Sequence, residues 1–214
     1  ARLWYGWDDF AQGGINEQGL FFDAAVTPEQ PRIKGYRNPR NNLGDKILAR
    51  ASTVEEALEI LEKEKIALNK SHMLFGDSTG QAVIVEWVGG ERKLHWIEDN
   101  KLVMTNFLLS EPEAGNYPDF RYKSIIDRIN ELESGEQEIN LNKIGNTVGL
   151  AVRPAREDEN KRLGGTVYVS FIDVTENKFV LSYRLSNDDL VILDLEDEFA
   201  KSKRQTINFE KLFH

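Results

Sequence analysis

The side chains able to do nucleophilic or acid–base chemistry are few and poorly placed for it. The 214 residues include no cysteine, which excludes a cysteine nucleophile, a disulfide or a thiolate zinc site within this chain. Ser71 and His72 are adjacent, but neighbours on a strand point to opposite faces, so they cannot form a nucleophile–base pair. His95 has no second histidine at metal spacing. No metal site and no cofactor are therefore predicted.

The acidic residues form no recognisable metal-binding or catalytic motif either. Asp8 and Asp9 precede a glycine pair, and we interpret them as a solvated loop, because the other oxygen ligands of a calcium site are missing. The net charge of -9 argues against nucleic acid or an anionic membrane as the partner. No apolar run is long enough for a transmembrane helix. With 40% hydrophobic residues, the chain can bury a core, and one domain over residues 1–214 is predicted.

Strands and two helices are predicted in the first half of the chain. An aromatic strand over Arg2–Trp7 leads to a turn at Gly13 and Gly14, then to an apolar strand over residues 20–26. Residues 28–40 form an irregular loop. The next elements are a helix over 46–51, an amphipathic helix opened by a Ser52–Glu55 capping box, and antiparallel strands over 72–76, 81–88, 93–97 and 101–105.

The second half is predicted to add helices and a hairpin. Helices cover residues 119–134 and 140–151, and a charged loop covers 154–165. Strands over 166–174 and 178–185 form a hairpin, followed by a short strand over 190–195. The tail over 196–204 is exposed, and the apolar residues after it dock onto a neighbour or a partner chain. The pattern as a whole predicts an α+β fold with antiparallel sheets.

Several of these motifs, in this order, resemble the choloylglycine hydrolase and penicillin V acylase family, linear-amide hydrolases of the N-terminal-nucleophile (Ntn) superfamily. Gly14 to Leu20 is similar to the family's GMNExGL turn. The helix that begins at Ser52 is similar to SxVEEAxExL, and the hairpin from His72 to Glu86 is similar to HxxxxDxTGxxxVVE. Thr105-Asn106, then Phe120-Arg121-Tyr122 at a helix entrance, and the paired terminal strands complete the series.

This resemblance implies a four-layer αββα sandwich of two antiparallel sheets and an amidase mechanism. In such enzymes an N-terminal cysteine attacks the amide carbonyl, and two donors stabilise the oxyanion. By order, Asn106 matches the side-chain donor and Val26 matches the backbone donor. Arg121 matches an arginine beside the nucleophile, where its charge would favour the thiolate. Tyr36 falls in the loop that shapes the mouth of the substrate pocket in this family.

Each of these residues also has a simpler interpretation. An asparagine that ends a strand, such as Asn106, is usually a turn former, and an arginine near a helix start, such as Arg121, is usually a surface charge. Tyr36 lies in what is equally well a plain exposed loop. Asn16 and Glu17 are better interpreted as turn and hydrogen-bonding residues than as catalytic ones.

The chain departs from the family pattern at its beginning. The family's first strands, which carry the cysteine, would precede Ala1, so the sequence suggests a cleaved product or one piece of a longer protein, with N-terminal strands missing. We predict a hydrolase of linear carbon–nitrogen bonds that is inactive as this chain alone. Its expected partners are a small-molecule amide and either the missing N-terminal chain or a second copy. Two alternatives stay open: a non-catalytic relative that binds an acyl amide, and an α+β interaction domain.

Overall fold

A computed structural model gives the fold and describes residues 1–7, 10–115, 119–135, 138–157, 159–161, 163–183 and 190–213. The chain divides into two units, Ala1–Asp119 and Phe120–His214. Helices accompany sheets in both, and all pairs of named strands are antiparallel, so the predicted α+β class is confirmed. The predicted solvated loop at Asp8 and Asp9 lies outside the described residues.

A six-stranded antiparallel sheet forms the first unit, and its strands lie side by side in the order of the sequence. Consecutive strands become neighbours because most of them are joined by short turns, whereas both helices of this unit fall between the third strand and the fourth. The strands are β1 (Arg2–Trp7), β2 (Phe10–Asn16), β3 (Phe21–Val26), β4 (Ser71–Gly76), β5 (Ala82–Val88) and β6 (Glu91–Trp96).

The predicted turn at Gly13 and Gly14 is wrong, because both residues lie inside β2. A Cβ atom at Gly13 would come within 2.2 Å of the Tyr5 hydroxyl oxygen, and one at Gly14 within 2.5 Å of the Leu3 carbonyl oxygen. The two glycines therefore allow β1 to pack closely on β2. The chain reverses a few residues later, in the turn that contains Gly19, whose φ of +87° is a conformation that favours glycine.

Two helices cover one face of this sheet, as predicted. α1 (Leu43–Leu48) begins three residues before the predicted start, because Asn42 caps it by accepting from the N–H of Asp45. α2 (Val54–Lys63) has Thr53 as its cap, so the capping box lies one residue later than predicted. Thr53 accepts from the N–H of Glu56, whose carboxylate in turn accepts from the N–H of Ser52.

The core lies between these helices and the sheet. Along β5, alternate residues Val83, Val85 and Trp87 belong to this core, together with Phe22 of β3 and Phe75 of β4. The helices contribute their apolar stripes, which include Ile47, Leu48, Val54, Ala57 and Leu61. Because side chains alternate along a strand, Ile84 and Glu86 point to the opposite face, where both are also buried.

The predicted strand over residues 101–105 is wrong. Lys101 forms only an isolated bridge with Glu98, and no regular strand follows it. The carbonyl oxygen of Thr105 accepts instead from the His72 side chain, at 2.6 Å. A side chain thus takes up a main-chain group that a strand would have bonded to a neighbouring strand.

The second unit has a three-stranded antiparallel sheet with helices before and after it. The predicted helices, hairpin and final strand are all present. Among the described residues, no helix is long and apolar enough to cross a membrane. The elements are α3 (Phe120–Ser134), α4 (Leu141–Gly149), β7 (Arg156–Glu157), β8 (Leu163–Gly164), β9 (Tyr168–Asp173), β10 (Lys178–Tyr183), β11 (Leu190–Asp194) and α5 (Leu195–Ala200).

One prediction for this unit is corrected, because the charged segment over 154–165 contains the short paired strands β7 and β8. The tail over 196–204 is mostly exposed, as predicted, and its first residues belong to α5. Asp194 caps that helix by accepting from the N–H groups of Glu196 and Asp197. Beyond it, the Phe209 ring packs edge-on against Tyr168 at 4.9 Å between centroids, as expected of an apolar terminus that docks onto a neighbour.

Candidate functional site

Val26 is the last residue of β3, and its main chain points away from β4. The N–H of the next residue, Thr27, donates to the carbonyl oxygen of Lys70 at 3.1 Å. Val26 is opposite Ser71 in this ladder. In an antiparallel ladder, residues that bond to a given neighbour alternate with residues that do not. The N–H and C=O of Val26 therefore both point to the other edge of β3, while its side chain is 70% exposed.

On that other edge, the pairing of β2 with β3 extends only from Phe21 to Asp23. The main chain of Val26 thus projects beyond the part of β3 that β2 covers. Its N–H therefore faces an edge of β3 that β2 leaves uncovered, and its use as a backbone oxyanion donor stays a prediction.

Asn106 reaches this edge from the segment that follows β6. Its Nδ2 atom donates to the carbonyl oxygen of Val26 at 2.9 Å. Its neighbours Thr105 and Phe107 are buried, so the segment is anchored on both sides of the asparagine. The structure therefore brings together two of the predicted site residues, with an amide hydrogen-bond donor beside the Val26 main chain.

Polar groups cluster around this contact. Four buried side-chain atoms of the described residues have no hydrogen-bond partner, and three of them lie here: Thr27 Oγ1, Thr105 Oγ1 and His72 Nδ1. Thr27 follows Val26, Thr105 precedes Asn106, and His72 is opposite Ala25 on β4. Buried polar atoms normally find partners, so an unpaired one needs an explanation, such as an ordered water or a catalytic function. The end of β3 and the segment around Asn106 thus bring several buried polar atoms together.

The family to which the chain belongs follows from its sequence. The model of a family described as acyl-coenzyme A:6-aminopenicillanic acid acyl-transferase matches residues 11–184. The chain belongs to this acyl-transferase family. No curated protein matches the sequence.

Solved structures show a similar fold. A mutant of the conjugated bile acid hydrolase from Clostridium perfringens has a TM-score of 0.74 and 16% identity, over 96% of this chain and 80% of that chain. A second variant of that hydrolase has a TM-score of 0.71 and 16% identity, over 96% and 82%. Penicillin V acylase from Agrobacterium tumefaciens has a TM-score of 0.65 and 16% identity, over 89% and 68%. The resemblance to bile acid hydrolase and penicillin V acylase and the predicted Ntn-type fold are confirmed.

The other two predicted site residues of this member of the acyl-transferase family are Arg121 and Tyr36. Arg121 is the second residue of α3, at a helix entrance as the family motif predicts, and it belongs to the second unit. Its place beside a nucleophile stays a prediction.

Tyr36 is tied to α2. Its hydroxyl donates to the Glu62 carboxylate, 2.9 Å from Oε2, and Lys65 Nζ lies 5.1 Å from the centre of its ring. A cavity of about 100 Å³ is lined by Arg37, Arg40, Lys46 and Glu64, among others. The Glu64 carboxylate forms ion pairs with Arg37 and Arg50. These contacts give Tyr36 a clear packing function, and substrate binding by Tyr36 stays a prediction.

Asn16 has a structural function in the turn after β2. Its Nδ2 donates to the carbonyl oxygens of Leu48 and Ala51, at 2.9 and 2.7 Å, and Oδ1 accepts from the N–H groups of Gln18 and Leu20. The side chain thus joins the β2–β3 turn to the end of α1. This agrees with its interpretation as a hydrogen-bonding residue of the turn.

The buried or partly buried ionisable groups that were not predicted as functional include Asp23, His72 and Glu86. Burial raises the pKa of Asp23 to about 7, against the opposing hydrogen bonds from the Ala24 N–H and the Tyr5 hydroxyl. His72 and Glu86 are fully buried on neighbouring strands, and His72 Nδ1 lies 3.9 Å from Glu86 Oε1. The sequence signal was present, since Glu86 is the one acid within the apolar strand β5.

Proposed function

We propose that this chain is the main part of an enzyme that hydrolyses a linear amide carbon–nitrogen bond. In this proposal Asn106 and the N–H of Val26 stabilise the oxyanion, and a cysteine from outside these 214 residues attacks the carbonyl. The observation that carries the proposal is the 2.9 Å contact between Asn106 Nδ2 and the Val26 carbonyl oxygen. It supports the proposal because it sets an amide donor beside the outward-facing N–H of the same strand residue.

The Asn106 side chain and the Val26 N–H are required only to donate hydrogen bonds to the oxyanion. Attack on an amide carbonyl converts its oxygen into an oxyanion, which needs hydrogen-bond donors fixed in advance. An asparagine NH₂ group carries two hydrogens and acts only as a donor. A backbone N–H at the end of a strand is equally well fixed. Neither group needs to change its protonation state during the reaction.

Arg121 and Tyr36 have supporting functions in this proposal. A guanidinium beside the cysteine stabilises the thiolate, because a fixed positive charge lowers the pKa of a neighbouring thiol. Tyr36 contributes to the pocket for the acyl group through the loop that precedes α1. The family and its structural relatives motivate both assignments by analogy.

A second candidate function follows from the composition. A chain with no cysteine can bind an acyl amide through the same donors without cleaving it. Such a binder would have no need of a thiolate, so in that case Arg121 would contact the ligand directly or have no function in binding.

The test begins with the natural form of the protein. Intact-mass measurement of the native material and the coding sequence upstream of Ala1 identify any cysteine-bearing segment that accompanies the chain. The native protein and the 214-residue chain are then assayed with penicillin V, with a conjugated bile acid, and with an acyl-coenzyme A plus 6-aminopenicillanic acid. These substrates are named from the relatives.

Each outcome decides between the candidates. Turnover by the native protein but not by the 214-residue chain supports the hydrolase. Saturable binding with no turnover, in native material that lacks cysteine, supports the binder. Neither binding nor turnover of any amide by the native protein contradicts both.

A further inference from the structure

A buried acid–imidazole cluster lies directly behind the segment that carries Asn106. Glu86 on β5 and His72 on β4 are both fully buried. His95 on β6 approaches the same carboxylate, with Nε2 3.4 Å from Glu86 Oε1. This cluster occupies the sheet face opposite α1 and α2, and the oxyanion contact itself uses none of its three side chains.

Both ends of the Asn106 segment are held by this cluster. On one side, His72 Nε2 donates to the carbonyl oxygen of Thr105 at 2.6 Å. On the other side, Glu86 accepts from the N–H of Leu109 at 2.9 Å and from the N–H of Ser110 at 3.2 Å, one bond to each carboxylate oxygen. His95 adds a contact of 2.9 Å to the Ser110 hydroxyl.

The electrostatics agree with an ionised carboxylate at the centre of this cluster. Burial by itself would raise the pKa of Glu86. The adjacent imidazole of His72, the N–H groups of Ser110 and Leu109, and the charge of His95 outweigh burial and hold this pKa below its usual value. An ionised carboxylate is acceptor-only, so both oxygens can hold backbone N–H groups at once.

We propose that Glu86 and His72 are positioning residues that fix the Asn106 side chain at the Val26 main chain, Glu86 through Leu109 and Ser110 and His72 through Thr105. The catalytic consequence rests on the proposed function, because only an oxyanion donor needs such accurate placement. A displacement of about 1 Å at a catalytic group can cost roughly 100-fold in rate. The burial of Phe107 and Leu108 anchors the segment as well, but apolar packing alone does not fix the direction of a side-chain amide.

The first experiment uses the 214-residue chain and needs no activity. The side-chain amide signals of Asn106 are assigned in a ¹⁵N-labelled sample by their loss in Asn106→Ala. In Glu86→Gln, a side-chain NH₂ group replaces one of the two acceptors, so the Asn106 signals are expected to shift and broaden. Glu91→Gln is the matched control, since Glu91 is an exposed acid at the start of β6, and the Asn106 signals are expected to stay in place.

Two substitutions at His72 keep the proposal testable if Glu86→Gln fails to fold. Gln at position 72 can place its NH₂ group near the Nε2 position of the imidazole and keep the bond to Thr105, whereas Leu cannot. His72→Gln is therefore expected to retain the Asn106 signals and His72→Leu to lose them. The second experiment measures kinetics in the native, cysteine-bearing protein. There Glu86→Gln and His72→Leu are expected to lower kcat by roughly 10- to 100-fold, with KM within about twofold.

The outcomes separate this proposal from the proposed function. Unchanged Asn106 signals and unchanged kcat in folded Glu86→Gln and His72→Leu would overturn the positioning proposal and leave the hydrolase intact. Shifted Asn106 signals, in a native protein that cleaves no amide, would support positioning and contradict the hydrolase. A loss of thermal stability in these variants with kcat unaffected would mean that the cluster stabilises the fold without positioning Asn106, and this result would overturn the proposal.

Discussion

The side-chain amide of Asn106 lies 2.9 Å from the main-chain carbonyl oxygen of Val26, although 80 positions separate the two residues along the chain. Strand direction explains how they meet. Val26 ends β3 with its main chain turned away from β4, and the segment after β6 returns along this edge. The contact therefore follows from the hydrogen-bond alternation of one ladder, together with a loop that is bonded to the sheet by His72 and Glu86.

Replacement of Asn106 by alanine is expected to reduce turnover much more than binding in the native, cysteine-bearing protein. Loss of one oxyanion donor costs on the order of 3 kcal/mol in the transition state, or roughly 100-fold in kcat, while the ground-state carbonyl gains little from it. Steady-state kinetics measure this as a drop in kcat with KM nearly constant. Asn130→Ala, at an exposed position of α3, is the control. Turnover within twofold of the wild type would remove Asn106 from the mechanism.

Replacement of Val26 by proline tests the backbone donor without touching a functional side chain. Proline has no N–H, and at Val26 that N–H makes no bond to β4, so the sheet loses little. We expect kcat to fall on the order of 100-fold, since an oxyanion donor has been deleted. Val26→Ala, which keeps the N–H and trims a side chain that is 70% exposed, is expected to be nearly neutral.

A second proline variant controls for strand disruption. Ala25 is opposite His72 at a position where the ladder bonds to β4, so Ala25→Pro deletes a sheet hydrogen bond. Its melting temperature is expected to fall further than that of Val26→Pro. If Val26→Pro is folded and fully active, the backbone donor lies at another residue.

Local chemistry explains which elements were predictable from the sequence. The turn at Asp77 to Gly80 follows from an aspartate that accepts from Thr79 and a glycine with φ of +87°. The helix capped by Thr53 follows in the same way from a hydroxyl and a glutamate a few positions apart. In each case the residues that decide the structure lie within a few positions of one another.

Long-range packing explains what could not be predicted. Gly13 and Gly14 were expected to turn the chain, but Tyr5 and Leu3 of another strand press on them and require glycine inside β2. The segment before Asn106 was expected to be a strand, but a buried histidine from β4 binds the Thr105 carbonyl. Asn106 and Val26 were found only through the order of family motifs, because no local pattern relates two residues so distant in sequence.

Replacement of Asn16 by alanine is expected to destabilise the fold without impairing the chemistry. Four hydrogen bonds end on this buried side chain, and its loss leaves the carbonyls of Leu48 and Ala51 and two turn N–H groups short of a partner. The expected cost is roughly 2 to 4 kcal/mol of unfolding free energy, measured by urea denaturation. Gln18→Ala, at an exposed position of the same turn, is the control. A cost below about 1 kcal/mol would contradict this structural function.

The carboxyl group of Asp23 is expected to make stability fall as the pH rises from 4 to 7. Burial raises its pKa to about 7, so the folded state keeps this proton in a range where the unfolded chain, with a pKa near 4, has already lost it. The unfolded state then binds fewer protons than the folded one, and the slope of unfolding free energy against pH is negative. The effect is complete about one unit above the folded pKa, near pH 8, and amounts to at most about 4 kcal/mol.

Asp23→Asn removes this titration, and urea denaturation at a series of pH values measures the consequence. The unfolding free energy of the variant is expected to rise relative to that of the wild type between pH 4 and 7, and the difference is expected to be constant above about pH 8. Tyr5→Phe provides a test in the other direction. The Tyr5 hydroxyl lowers the pKa of Asp23, so its removal should extend the loss of stability to higher pH. Parallel curves for wild type and Asp23→Asn from pH 4 to 8 would mean that water reaches the carboxyl group freely and that its pKa is ordinary.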